Sequence, residues 1–190
     1  MMNVEINKNV KLSEHFTLAE MTKTSVKTKD GNIPSRVHIE NLKRLCGWLE
    51  RLRQRCNQIR NEELGISSQR HTLTDGQRNY DYSAAEKEQP IIINSAYRSA
   101  AVNKAVGGAK GSNHLTGCAA DIRVAGLEQA LRYAVILLDI ADEGREAFDE
   151  LLLECSPRGT YWLHFAVRPP SQENRRKIRF IATRDRQSRS

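Results

Sequence analysis

The sequence predicts an α+β fold, with helices packed against a mainly antiparallel sheet. Three observations lead there. Ile39, Leu42, Leu45, Cys46, Leu49, Leu52, Cys56 and Ile59 recur mostly at steps of three and four, which describes one face of an amphipathic helix of about five turns. Four short apolar runs, PIIINSAYRS, CAADIRV, DELLLE and YWLHFAV, have strand length and are bounded by Gly, Pro and Ser. The last two are joined by CSPRGT, whose Pro and Gly turn the chain back into a hairpin.

In chain order, HFTLAEMT forms a short helix in which Phe16, Leu18 and Met21 supply apolar cover. Pro34 and Ser35 mark the approach to the long helix. Residues 61–90 are polar, with Gly65, Gly76 and few aliphatics, and are expected to make a surface excursion. A buried strand follows Pro90, and Ser99 is placed to cap a short helix over SAAVNKAV. GGAKGS is a flexible link to the strand CAADIRV. GLEQALRYAVILLDIAD is a second amphipathic helix, with Leu127, Ala130, Leu131, Ala134, Val135, Leu138 and Ala141 on its apolar face. After the hairpin, NRRKIRFIA is a basic strand that joins it. At 190 residues this is one domain, residues 1–182, with a basic tail at 183–190 expected to be disordered.

Composition excludes several classes of function. Hydrophobic content of 39% and charged content of 28% belong to a globular protein. The net charge of +7 is concentrated at one end, where residues 171–190 hold seven Lys/Arg against two acids. Such a tail attracts anionic polymers, bacterial cell wall among them, but reads more simply as a solvated terminus, and no nucleic-acid partner is expected. No apolar run approaches membrane-spanning length and no signal peptide is visible, so the expected location is the cytoplasm, or the cell wall after release from the cytoplasm. Cys46, Cys56, Cys118 and Cys155 show no metal-site spacing. Cys46 and Cys56 fall ten positions apart on one helix, about 15 Å, too far to bridge. All four are expected to be reduced and mostly buried.

The residues that suggest chemistry cluster in GSNHLTGCAAD. His114 in a Gly-rich loop and Asp121 on the following strand are two oxygen and nitrogen donors of the kind a catalytic zinc uses, and His164 in YWLHF could supply a third from the neighbouring strand. Asp121 between Ala120 and Ile122 needs a partner if buried, and Arg98 is a second candidate for that partner. Cys118 could add a thiolate, although a small buried residue serves equally well there. His15, His38 and His71 read as surface or packing residues, and Gly107, Gly108 and Gly111 as turn residues leading into the His114 loop.

INSAYRSAAVNKAVGGAKGSNHLTGCAADI, LLLEC and WLHFAV, in this order, closely resemble the M15 family of zinc D-Ala-D-Ala carboxypeptidases and endolysin-type peptidases, specifically its small single-domain branch with a hedgehog/DD-peptidase-like fold. The matching residues are Ser95, Tyr97, Arg98, Ser99, Val102, Asn103, Ser112, His114, Gly117, Ala119, Asp121, Trp162 and His164, and the resemblance extends over residues 10–182. It implies a zinc ion held by His114, Asp121 and His164, a water in the open position, and a peptide of bacterial peptidoglycan as substrate for a monomeric hydrolase. Arg98, Tyr97, Ser112 and Trp162 would bind substrate, with Arg98 also stabilising developing charge. One position departs from the pattern. Many relatives carry the catalytic acid three residues before the last His, where this chain has Tyr161. Glu154 matches the strand acid of this branch and is the expected base, with Glu150 or the Tyr161 hydroxyl as substitutes. If no residue fills that role, the chain is instead a non-catalytic zinc- and peptidoglycan-binding module of the same fold.

Overall fold

The structure, a computed structural model, describes residues 9–29, 31–63 and 88–182. The expected excursion, apart from its two ends, and the basic tail lie outside these residues, as does His71. The elements are α1 (Leu18–Met21), α2 (Arg36–Glu63), β1 (Ile93–Ser95), α3 (Ala100–Ala105), a 3₁₀ turn (Asn113–Thr116), β2 (Ala119–Arg123), α4 (Leu127–Gly144), β3 (Glu150–Cys155), β4 (Tyr161–Ala166) and β5 (Lys177–Ala182). The α+β class and the sequence of helices and strands agree with expectation.

One sheet, ordered β1-β2-β4-β3-β5, organises the chain. β1–β2, β2–β4 and β4–β3 pair antiparallel, while β5 lies parallel to β3 at the edge. Strand periodicity sorts the side chains. Ala120, Ile122, Leu151, Leu163 and Phe165 point to the face covered by α2 and α4 and are at most 1% exposed. Asp121, His164, Glu150, Leu152, Glu154 and Trp162 share the opposite face, because Asp121, His164 and Leu152 are cross-strand partners, as are Trp162 and Glu154.

α2 buries the predicted stripe Leu42, Leu45, Cys46, Leu49 and Leu52, together with Trp48, whose ring meets Phe165 at 5.2 Å. It continues to Glu63, so the first three residues of the expected excursion are helical. Gln58 bonds Glu62, and Glu63 accepts from Arg132 of α4, which keeps the last turn wound. On α4 the expected apolar face is corrected. The buried residues are Ala130, Tyr133, Ile136, Leu137, Ile140 and Ala141, while Leu127, Leu131 and Val135 are 43%, 50% and 55% exposed. Apolar residues surround most of this helix, so contact with α2, β4 and β3 decides which side is covered.

Candidate functional site

His114 is positioned by three local devices. Ser99 caps α3 by accepting from the Val102 amide, and Ser112 caps the 3₁₀ turn by accepting from the His114 amide. Asn41 of α2 donates to the Thr116 carbonyl at 2.8 Å, tying the turn to the long helix. At the end of the turn Gly117 has φ of 71°, and a Cβ there would come within 2.7 Å of the His38 carbonyl oxygen, so only glycine allows so close an approach. Asp121 and His164 face each other in the β2–β4 register.

The three side chains meet. Nε2 of His114 lies 3.2 Å from Asp121 Oδ1 and 3.2 Å from His164 Nδ1, and the last two atoms are 3.0 Å apart. All three residues are buried. Nδ1 of His114 sits 2.6 Å from the Ala96 carbonyl oxygen, which can only accept, so Nδ1 carries the proton and Nε2 of the neutral ring presents its lone pair. Three electron-rich atoms therefore point at one spot, an arrangement that needs a cation or a proton between them. The set could hold a metal ion.

Electrostatics agree with that geometry. Burial lowers the pKa of His114 and favours its neutral form. Burial alone would raise Asp121, but His114 and His164 beside it hold its carboxyl well below the usual range. Burial would likewise lower His164, yet the Asp121 and Glu150 carboxylates beside it push its pKa up to about 9. Asp121 Oδ2 accepts from Nη2 of Arg98, whose Nε donates to Ser95 at 2.8 Å.

The family profile described as Peptidase M15 matches residues 56–141, which carry β1, α3, β2, His114 and Asp121. Over that stretch, somewhat less than half of its length, the chain is similar to the peptidase M15 family. No curated protein matches it. His164, Glu150 and Glu154 lie beyond the matched span, and the sheet brings them to it.

A cleft of about 450 Å³ opens over the cluster, lined by Arg98, Ser112, Glu150, Glu154 and Trp162 among others. Tyr97 is not at the cleft: it is buried, its hydroxyl donates to the Ile33 carbonyl, and its ring packs on His38 at 5.1 Å. It braces the segment behind Arg98 instead of offering a substrate contact. Tyr161 is likewise excluded from the site, because it lies an odd number of positions from His164 on β4 and packs against the helix-covered core. Cys118 turns toward Arg44 of α2 and fills space; Cys46 and Cys118 are buried, and Cys56 and Cys155 half-buried. His15 bonds Glu50 and Arg53 on the surface of α2.

Glu154 and Glu150 stand on either side of His164 with opposite surroundings. Burial raises the pKa of Glu154, and among the described residues no side chain hydrogen-bonds its carboxylate. Glu150 accepts from Asn113 at 3.1 Å and Lys177 at 2.9 Å and pairs with Arg175 at 3.0 Å. His164 and then Lys177 hold its carboxyl well below the usual range. Asn113, Asp149 and Lys177, which complete this network, were not singled out by the sequence. The usable signal was the two-residue period of β3, which puts Glu150 and Glu154 on the His164 face.

Proposed function

We propose that this chain is a zinc-dependent peptidase that hydrolyses peptide bonds in the stem peptides of bacterial peptidoglycan. The observation that carries the reading is the convergence of His114, Asp121 and His164 at one wall of a cleft. In a tetrahedral zinc site with bonds of about 2.0–2.1 Å, neighbouring donors stand roughly 3.3 Å apart, close to the spacing of these three atoms. When bound, zinc polarises the scissile carbonyl and lowers the pKa of water toward ~7.

The chain's own groups do the rest. His114 and His164 each direct one lone pair inward, and Asp121 supplies a charged oxygen while Arg98 occupies its other one. Glu154, with its pKa raised by burial, is suited to take a proton from the attacking water and return it to the leaving amine. Arg98, at the cleft wall, is suited to a substrate carboxylate or to charge developing on the carbonyl oxygen. Ser112 and Trp162 line the cleft, and the indole offers a flat apolar wall.

The test is elemental analysis of the purified protein, followed by digestion of peptidoglycan and mass spectrometry of the products. About one zinc per chain is expected, with new peptide termini in the digest. His114→Ala and Asp121→Ala should each lose the metal and remain folded. Stoichiometric zinc in both variants would refute the ligand assignment. Zinc and muropeptide binding without cleavage would replace the peptidase by a binding module.

A further inference from the structure

We infer that Glu150 is a positioning residue that fixes the ring tautomer of His164, so that Nδ1 faces the metal position as a bare lone pair. The inference rests on the metal reading of the His114–Asp121–His164 cluster. His114 has its orientation set by a backbone carbonyl, that of Ala96. Among the described residues, no backbone carbonyl accepts from the outer nitrogen of His164. Its Nε2 is buried without a hydrogen bond of ordinary geometry, and Glu150 Oε2 stands 3.5 Å from it. A buried ring N–H left without an acceptor is costly, so the tautomer with Nε2 protonated depends on that carboxylate.

The sheet explains how Glu150 arrives there. Its direct partner on β4 is Ala166, which places His164 diagonally across, and the small alanine leaves the diagonal open. Its direct partner on β5 is Lys177. Oε1 is drawn away by Lys177 Nζ at 2.9 Å and Arg175 Nη2 at 3.0 Å, while Oε2 accepts from Asn113 Nδ2 at 3.1 Å on the side of the His114 turn. Thus one oxygen is anchored to β5 and the other is presented to His164. In the opposite tautomer, the Nδ1 proton would point at Asp121 Oδ1 and His114 Nε2, and the third metal donor would be lost. Carboxylate partners of ligating histidines act in this way, and their removal typically costs about 10–100-fold in metal affinity.

The experiment measures Zn²⁺ affinity by competition with a chromophoric chelator in wild type, Glu150→Leu, Glu150→Gln and the surface control Glu143→Gln, whose carboxylate pairs only with Arg55 among the described residues. Glu150→Leu should bind zinc ~10–100-fold more weakly, and Glu150→Gln should recover part of the loss because its amide oxygen can still accept from Nε2. The control should match wild type. Long-range ¹H–¹⁵N correlation of zinc-loaded wild type should show His164 protonated at Nε2 only. Equal affinity in Glu150→Leu and wild type overturns the inference, as does a wild-type ring with Nε2 unprotonated. If circular dichroism shows that Glu150→Leu does not fold, the Glu150→Gln affinity and the wild-type ring spectrum decide. Wild type that binds no zinc overturns the metal reading itself, and with it this inference, before any variant is compared.

Discussion

Replacing Asp149 by Asn tests what holds the site face together. Its carboxylate is fully buried, yet it accepts from Asn113 Nδ2 at 2.7 Å and from Arg175 Nε at 2.8 Å and Nη2 at 2.6 Å, and Arg168 pairs with it at 3.0 Å. It thereby joins the start of β3 to the His114 turn and to the chain entering β5. Breaking a buried ion pair by removing one partner costs about 3–5 kcal/mol. Here the stranded arginines are 26% and 45% exposed and can turn to water, so the expected loss is nearer ~2–3 kcal/mol. In a domain of this size that lowers Tm by roughly 4–12 °C. The pH dependence has a definite sign. Burial alone would raise the Asp149 pKa, but Arg175 and Asn113 hold it below the usual range. A depressed folded pKa gives stability that is present above the unfolded value of about 3.9 and lost as pH falls through the folded one. Urea unfolding of chelator-treated protein at pH 7 and at acid pH measures both. A difference from wild type below ~0.5 kcal/mol at pH 7, or one that grows on acidification, refutes the reasoning.

Glu154→Gln should retain zinc and fold while cleavage falls by about 10²–10⁴-fold, and unchanged cleavage would make Glu154 a bystander. Gly117→Ala should destabilise by more than ~1 kcal/mol, since it combines a left-handed backbone with a clash against the His38 carbonyl; an unchanged melting temperature would contradict that geometry. Burial pushes the thiols of Cys46 and Cys56 up to about 12 and about 11, so both should react slowly with a disulfide reagent at pH 8 and readily after denaturation. A burst of modification in the folded protein would show that α2 does not cover Cys46.

The fold was legible where local pattern and tertiary contact agree. On α2 the stripe from Leu42 to Leu52 is apolar on one side and charged on the other, so the period alone names the buried face. On α4 it does not. Tyr133, Ile136, Leu137 and Ile140 compete with Leu127, Leu131 and Val135 for the core, and the positions of α2 and the sheet resolve the choice. The pairing of β5 is similarly non-local. NRRKIRFIA reads as a strand that joins the hairpin, but its parallel placement on β3 depends on Arg168 and Arg175 meeting Asp149, twenty or so residues back in the chain.

The site divides along the same line. His114, Asp121 and His164 were visible as donor types at family spacing, whereas the Ala96 carbonyl that orients His114 is a backbone atom and leaves no mark in a sequence. Position 161 illustrates how a strand constrains the rest. Three residues from His164 is an odd step, so a side chain there points to the helix-covered face of the sheet, away from the cleft. An acid can reach His164 only from an even step on β4 or from a neighbouring strand. Glu150 and Glu154 do the latter, diagonal to His164 on either side of Leu152 through their partners Ala166 and Trp162. They start as chemically identical groups. His164 and Lys177 hold one in its charged form, whereas burial raises the other. On the proposed reading, two carboxyls driven apart in this way would divide the work of a metal hydrolase: the one held ionised would orient a ligand, and the one that more readily holds a proton would transfer it.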